Sequence, residues 1–579
     1  MASNDAALPP RLPRWGILFF CGMVATISVF FLNHAVGLII TEGDHTPFSV
    51  DPRVSALVWD ETTSYAPGPS RFFHSGRLLT ELGVYELRHL RNPLPVTHSV
   101  LLGIAAKIVG SLEWAWMISH SILPTMTWAL LFWIALRAVR SPVIAMAIAW
   151  TTCFISFAPR NFLLIGHDRF IQPLELTRMP PPGLTFLLLL FAIWLLVRAL
   201  LDPKLWRIVA AGIVAGALFY SYYFYWVAFF SGVACLVLTF AIIKSWRDLK
   251  TALSVLVLGS LVGIYFFIWT LEGMAGGYQR QLMERTGIFT RQIDLVGLVL
   301  AAALFITLVV CARTNLVPRR DLRITLSVLL AVSTGAAIGL NFQLVTGFDA
   351  QHVHFYHRVL QPVIMFIVLL SIASAACATQ RLRRDALIIA TVAICMLLPV
   401  AVLRQVKVAI NTATYHRNSN ADMDALLWLR SRIPPDTVVG STDGDVLTLI
   451  PGITGTWTFV PVGDLSMATS TEILLRYLVL CRLEGRDWRD VESNLTSNRG
   501  FGSLSFIFTL QLKFSDESIQ FAQSLWNNLD TAAELRTRRL DYVISKRKEG
   551  LPGIPETTET QLVYRNSIWA IYRLIFKPS

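Results

Sequence analysis

The sequence predicts a polytopic α-helical membrane protein that carries an α/β domain at its C-terminal end. Three observations predict it. The chain of 579 residues is 54% hydrophobic and only 15% charged, a composition of membrane proteins. Its charges gather between apolar blocks of roughly 20 residues, the length that carries a helix across a bilayer. After residue 403 those blocks stop and a mixed, globular pattern takes over.

About eleven blocks reach spanning length or come close to it. In order they are Trp15 to Ile40, Trp114 to Leu136, Ser141 to Ala158, Gly183 to Leu201, Trp206 to Tyr222, a block after the aromatic run Tyr220 to Trp226 that reaches Ile243, Thr251 to Leu271, Ile293 to Ala312, Ile324 to Asn341, Val359 to Ala378 and Ala386 to Leu403. The first has no small-residue cleavage site near its end, so it reads as a retained helix. Val96 to Val109 is apolar but short. It reads as a re-entrant or interfacial helix, with a full span as the alternative.

Lys and Arg resist translocation and so mark the cytoplasmic side. Arg11 with Arg14, Arg137 with Arg140, Arg198 with Lys204 and Arg207, Lys244 with Arg247 and Lys250, Arg313 with Arg319, Arg320 and Arg323, and Arg381 with Arg383 and Arg384 occupy every second connection. The N-terminus is therefore expected inside. An odd number of spans then puts the loops at 42–112, 159–180, 272–292 and 342–357 outside, together with an extracytoplasmic domain at 404–579. Residues 1–403 form the membrane domain. The net charge of +12 is read as this cytoplasmic collar and calls for no nucleic-acid partner. Six of the seven cysteines lie in apolar segments, and their spacing gives neither a disulfide framework nor a zinc site.

The first outer loop is too long for a connector. Within it, Ser70 to Leu90 carries Phe72, Phe73, Leu78, Leu79, Leu82 and Leu87 among charged residues, which suits an interfacial helix. In the C-terminal domain, Asp422 to Ile433 reads as a helix stopped by Pro434 and Pro435. Thr437 to Ser441, Thr456 to Val462 and Asp541 to Ser545 read as strands, Glu472 to Leu483 as a helix, and Gln561 to Arg573 as a hairpin. Asp443 and Asp445 flank a glycine, a pattern of turns more often than of cation sites.

The spans read as nearly free of ionisable residues, whereas a transporter needs such residues along its path. The surplus polar residues sit in the outer loops, which favours an enzyme working at the outer surface. In the first loop, Asp60 and Glu61 are adjacent carboxylates suited to act as a general base toward a hydroxyl, with Tyr65, Arg71, His74 and Arg77 following and Asp51 a weaker candidate. The second loop carries Arg160, His167, Asp168, Arg169, Glu175 and Arg178. Guanidiniums there would bind phosphate, and Asp168 or Glu175 would orient an acceptor or hold a metal ion. The last loop brings His352, His354 and His357 to Arg358. His354 and His357 are expected on one helix face, reading as phosphate or sugar contacts, as a zinc site or as interfacial packing. Glu272, Arg280, Glu284 and Arg285 are weaker candidates in the third loop.

The order of these motifs resembles the GT-C superfamily of membrane glycosyltransferases, and in particular bacterial protein mannosyltransferase and aminoarabinose transferase members. The residues that carry the resemblance are Asp60-Glu61 and Tyr65 after one helix, Arg77-Leu-Leu-Thr-Glu-Leu-Gly83, the second acidic loop, and an outer C-terminal domain that opens with Leu427-Trp-Leu-Arg-Ser-Arg-Ile-Pro434 and ends with Asp541-Tyr-Val-Ile544 and Val563-Tyr-Arg-Asn566. The resemblance implies transfer of a sugar from a polyprenyl-phosphate donor to a lipid, glycan or protein acceptor at the outer face of a bacterial cytoplasmic membrane. Within it Asp60 would deprotonate the acceptor, with Glu61 as its support or as the base itself. Asp168, with Glu175 as competitor, would be the second acidic position, and Arg178 and Arg358 would stabilise the leaving phosphate. Some members use a divalent cation, so Mg or Mn is an implied cofactor. A flippase or transporter for a lipid-linked glycan, and a surface-polysaccharide polymerase or ligase, stand as alternatives.

Overall fold

The computed structural model describes residues 12–49, 61–78, 81–90, 96–157, 174–179, 182–275, 280–281, 283, 285, 287–313, 317, 319–463, 466–496 and 516–577. The membrane part is built from α1 (Leu12–Ile40), α2 (Pro67–Ser75), α3 (Thr97–Val109), α4 (Leu112–Val139), α5 (Pro142–Ile155), α6 (Gly183–Leu201), α7 (Leu205–Ala217), α8 (Tyr223–Ile242), α9 (Trp246–Ala275), α10 (Leu295–Arg313), α11 (Arg320–Gly339), α12 (Gln361–Ala376) and α13 (Gln380–Thr412). Among the described residues, nine helices are long and apolar enough to cross a membrane. Each of the eleven predicted blocks is a helix, but α5 with 14 residues and α7 with 13 fall short of a full crossing.

Local chemistry sets several of these boundaries. Ser111 caps α4 by accepting the Trp114 N–H at 3.2 Å, and Thr379 caps α13 by accepting the Leu382 N–H at 3.4 Å. Small residues let the bundle close tightly: a Cβ on Gly335 would come 2.0 Å from the Ala228 carbonyl oxygen, so α8 and α11 meet almost backbone to backbone.

The domain after the bundle is an α/β unit. A five-stranded sheet runs in the order β4-β3-β5-β7-β6, with β3 (Val438–Ser441), β4 (Trp457–Thr458), β5 (Tyr542–Ser545), β6 (Thr558–Arg565) and β7 (Ala570–Phe576). β3 is parallel to β4 and β5, while β7 is antiparallel to β5 and β6. Helices α14 (Ala421–Arg432), α15 (Gly444–Thr454), α16 (Ser470–Leu483), α17 (Trp488–Thr496), α18 (Asp516–Asn527) and α19 (Thr531–Thr537) accompany it. A separate two-stranded ribbon pairs β1 (Ile288–Phe289) with β2 (Phe348–Asp349) and ties the segment before α10 to the segment after α11.

Three expectations change. The interfacial helix expected over Ser70 to Leu90 stops at Gly76, whose φ of 71° closes α2 in the left-handed conformation. The chain turns there because Glu81 is buried and its Oε1 accepts the N–H groups of Gly83 and Val84 at 3.1 Å each. The strand expected over Thr456 to Val462 pairs only at Trp457 and Thr458. The last membrane helix runs on to Thr412, past the boundary read at residue 403, because a single buried Arg404 ends an apolar run without ending a helix. Asp443 caps α15 through the Val446 N–H at 3.2 Å and pairs with Lys546 at 2.6 Å, so it serves a turn.

The apolar residues form two cores. One fills the bundle. The other joins the α/β domain to the loops beneath it, so that Phe48, Ala66, Val84, Leu102 and Trp116 pack with domain residues such as Ile450, Trp457 and Phe459. Polar contacts lock the same seam. Arg71 is 1% exposed, stacks on Trp457 at 3.8 Å and donates to the Thr456 carbonyl at 2.8 Å. The Met467 N–H donates to Glu81 Oε2 at 2.7 Å, Arg476 reaches Glu86 at 2.9 Å, Arg285 donates to the Ala468 carbonyl at 2.8 Å, and Arg430 pairs with Glu113.

Candidate functional site

Two carboxylates at the domain end of the bundle, Glu61 buried and Glu175 half-buried, organise the polar interior. Glu61 opens a π-helical turn, Glu61–Tyr65, closed by the Ala66 N–H donating to the Glu61 carbonyl at 2.8 Å. Helix α15 of the C-terminal domain lies on this turn so closely that a Cβ on Gly452 would come 2.2 Å from the Thr62 carbonyl oxygen. Pressed from above, the Glu61 side chain turns into the bundle and is 3% exposed. Its Oε2 accepts from Trp116 Nε1 at 3.2 Å and lies 3.1 Å from His120 Nε2. Both partners come from α4, one turn apart on the same face.

Glu175 begins a short 3₁₀ turn, Glu175–Thr177, that packs against α4, α5 and α6. Its Oε2 accepts from Arg358 Nη1 at 2.9 Å in an ion pair whose side chains are 10% and 13% exposed. Arg404 of α13 lies within electrostatic reach of Glu175, and Arg178 with Arg358 within reach of His354. His354 shares a hydrogen bond of 2.8 Å with the Tyr222 hydroxyl, and Tyr225 donates to the Arg358 carbonyl at 3.3 Å. Burial, helped by Arg358 and Arg178, pushes the His354 imidazole down to about 3, so it stands neutral among the guanidiniums. Arg358 Nε has no hydrogen-bond partner.

Arg358 lies in the second π-helical turn among the described residues, Phe355–Leu360, where the Gln361 N–H donates to the Tyr356 carbonyl. The wide turn changes the expected alignment of His354 and His357. His354 points inward to Tyr222, whereas His357 is exposed and lies 3.3 Å from Gln361 Oε1. His352 is exposed and pairs with Asp349 at 2.5 Å. The three histidines thus take separate partners and do not converge as a zinc site. Among the described residues, no group of three or more His, Cys, Asp or Glu is arranged to hold a metal ion.

The structure brings Glu175, Arg178, His354 and Arg358 together and places Glu61 in a second polar cluster against α4. Tyr65 faces His98, ring centroids 5.9 Å apart, next to the domain core. Arg71, expected among the substrate contacts, is the bolt of the domain seam. Arg77 pairs at the surface with Asp436 at 3.3 Å, and Arg285 binds the domain. Asp51, Asp60, Arg160, His167, Asp168, Arg169 and Glu284 lie outside the described residues.

Three participants escape a reading by loops. His34 and His120 sit inside apolar spans and Arg404 at the end of another. Their signal was present in the sequence: an ionisable residue within a membrane helix is a functional candidate by default. The expectation that the spans are nearly free of such residues passed over it.

Neither a known protein family nor a curated protein matches the sequence. Among solved structures, ArnT from Cupriavidus metallidurans is similar in two states. The form bound to undecaprenyl phosphate aligns at 12% identity and a TM-score of 0.39, the apo form at 14% and 0.39, each over 97% of this chain and 98% of the other. The likeness extends along nearly the whole of both chains.

Proposed function

We propose that the protein is a membrane glycosyltransferase, taking a sugar from a polyprenyl-phosphate donor and passing it to a hydroxyl of a lipid, glycan or protein acceptor at the outer face of a bacterial cytoplasmic membrane. One observation carries the reading: guanidiniums from three distant segments, Arg178, Arg358 and Arg404, gather around Glu175 and His354 in the buried interior. Buried cations are costly unless they meet negative charge, and a phosphate is the anion that a group of guanidiniums suits; the unpartnered Arg358 Nε is a donor for its oxygen.

The chemistry follows from that placement. The acceptor oxygen attacks the anomeric carbon, the bond from that carbon to the phosphate oxygen breaks, and the guanidiniums take up the charge that develops on the leaving phosphate. Asp60 or the buried Glu61 removes the acceptor proton, and Asp168 orients the acceptor. Glu175, already paired with Arg358, is poorly placed to hold Mg or Mn as well.

The test uses purified full-length protein in lipid discs with radiolabelled polyprenyl-phosphate sugars. Sugar release or transfer is expected, reduced roughly 100-fold or more in Arg358→Ala and Glu61→Gln. Protein that cleaves no such donor yet moves a lipid-linked glycan across a vesicle would replace this reading with the transporter.

A further inference from the structure

Glu61 does not stand alone at its end of α4. His120 Nδ1 lies 2.8 Å from His34 Nε2, and His34 Nδ1 lies 3.1 Å from His45 Nε2. With the 3.1 Å contact from His120 Nε2 to Glu61 Oε2, three imidazoles form one unbroken hydrogen-bonded file ending on a carboxylate. All four side chains are buried. The file is drawn from separate elements: Glu61 from the first outer loop, His120 from α4, His34 from α1, and His45 from the segment after α1.

We infer that this file is a proton relay that carries protons between Glu61 and His45, the buried residue next to the exposed turn at Glu42 and Gly43. The carboxylate sets the direction of every bond. An ionised Glu61 accepts only, so His120 donates through Nε2 and accepts at Nδ1, His34 does the same, and His45 donates through Nε2. The lone pair of His45 Nδ1 is left as the end of the file; that atom is buried without a hydrogen-bond partner, against Gly37 of α1, where a Cβ would lie 2.8 Å from it. His45 follows the exposed Glu42 and Gly43 and the half-buried Asp44.

The step balances without any change of oxidation state. When the turn at Glu42 to Asp44 opens to admit water, a proton from hydronium forms an N–H bond at His45 Nδ1 and leaves a water molecule. The Nε2–H bonds of His45, His34 and His120 then break in turn as His34 Nδ1, His120 Nδ1 and Glu61 Oε2 gain theirs. Each ring ends as the other neutral tautomer, and release runs back along the same atoms to water. A file of neutral rings conducts in this way because each has one donor and one acceptor nitrogen.

The surroundings suit conduction better than charge storage. Trp116 faces Glu61, Phe31 lies beside His34 with ring centroids 6.2 Å apart, and His416 lies beside His45 at 5.8 Å. His416 Nδ1 faces the carbonyls of Thr46 and Phe48 at 3.1 and 3.2 Å, which keeps it out of the file. Burial drives His45 down to about 3, so it rests neutral. Space for its ring is built into α1: a Cβ on Gly37 would meet His45 Cε1 at 2.7 Å. That glycine lets His45 reach His34.

The relay matters to the proposed transferase because a base that has taken the acceptor proton must return it to water. The experiment needs no donor or acceptor, so it separates the relay from that reading. Full-length protein in lipid discs is subjected to a pH jump while the carboxyl band of Glu61, identified by its loss in Glu61→Gln, is followed by infrared spectroscopy. His34→Gln fills the site and keeps hydrogen bonds but cannot pass a proton through two nitrogens. Exchange at Glu61 is expected to slow roughly 100-fold in that variant, by the magnitude usual for a positioned proton-transfer group, with the equilibrium midpoint nearly unmoved. Gly37→Ala, which substitutes no histidine but pushes the His45 ring away from His34, is expected to slow it in the same direction. Unchanged exchange rates in either folded variant would overturn the relay. Slowed exchange in a protein that transfers no sugar would keep it and remove the transferase.

Discussion

Glu61, buried, and Glu175, half-buried, both lie at the domain end of one bundle in contact with polar partners from distant segments, yet their surroundings differ in kind. Glu175 is paired with guanidiniums, which stay charged at any working pH. Glu61 is paired with imidazole and indole, which can be neutral and, in the case of imidazole, can pass a proton on. The first arrangement holds fixed charge for an anion. The second lets charge come and go. In the proposed transferase, which would expel a phosphate and capture a proton, each cluster suits one of the two tasks.

Predictions that break or sharpen this contrast fall in order of size. Removing a partner from the fixed-charge cluster has the largest expected effect. Arg358→Ala leaves Glu175 short of its ion pair, with a cost of about 3–5 kcal/mol in stability measured by thermal unfolding, while Arg358→Lys recovers part of it. Glu61→Gln leaves its hydrogen bonds largely in place, so stability is expected to change little while transfer falls by about 100-fold or more. If Glu61→Gln lost stability as heavily as Arg358→Ala, the contrast between fixed and exchangeable charge would collapse.

The pH response separates the clusters next. His45 is lowered to about 3 and His416 to about 4, each mainly by burial. Both are neutral above the ordinary histidine value near 6.5, and the stability they contribute is present there. As pH falls below that value the unfolded chain takes up protons that the folded chain refuses, so stability declines until pH passes the folded values. The melting temperature should therefore drop between about pH 6.5 and 4, and His416→Gln should flatten that drop. His354 of the arginine cluster, lowered to about 3, adds to the same drop, so His354→Gln and His416→Gln read the two shares separately.

Smaller effects are expected along the domain seam. Arg71→Met keeps much of the packing on Trp457 but loses two donations to carbonyls, at 2.8 and 3.4 Å, for a cost of about 2 kcal/mol, read as faster proteolysis between bundle and domain. The exposed pair of Arg77 and Asp436, at 65% and 49% exposure, is the control. Asp436→Asn should shift stability by about 0.5 kcal/mol or less.

How much of this was legible in advance depends on the residue. The spans, the α/β domain, its opening helix and its closing hairpin follow from hydropathy, periodicity and turn chemistry. Glu175, Arg178 and Arg358 stood out because three polar residues in short loops beside apolar helices invite a reason. His34 and His120 stood out less, since one imidazole in a long apolar run barely disturbs its average. Arg71 and Glu81 looked like their neighbours until the domain covered them, and α2 gave no sign of stopping at Gly76 except the glycine itself.

The sequence by itself determined that the chain is a helical bundle rich in apolar spans with a mixed domain after it, because segment hydrophobicity and short-range periodicity are local properties. It also nominated the loops whose side chains matter. Only the tertiary structure decided which of them meet. Arg358 and Glu175 are 183 positions apart, and His34 and His120 are 86 apart. No spacing rule reaches across such separations, since a contact of that kind is set by how helices pack and where a domain presses on a loop. The pressure of α15 on the turn at Glu61 turns a surface-looking carboxylate into the buried end of a histidine file.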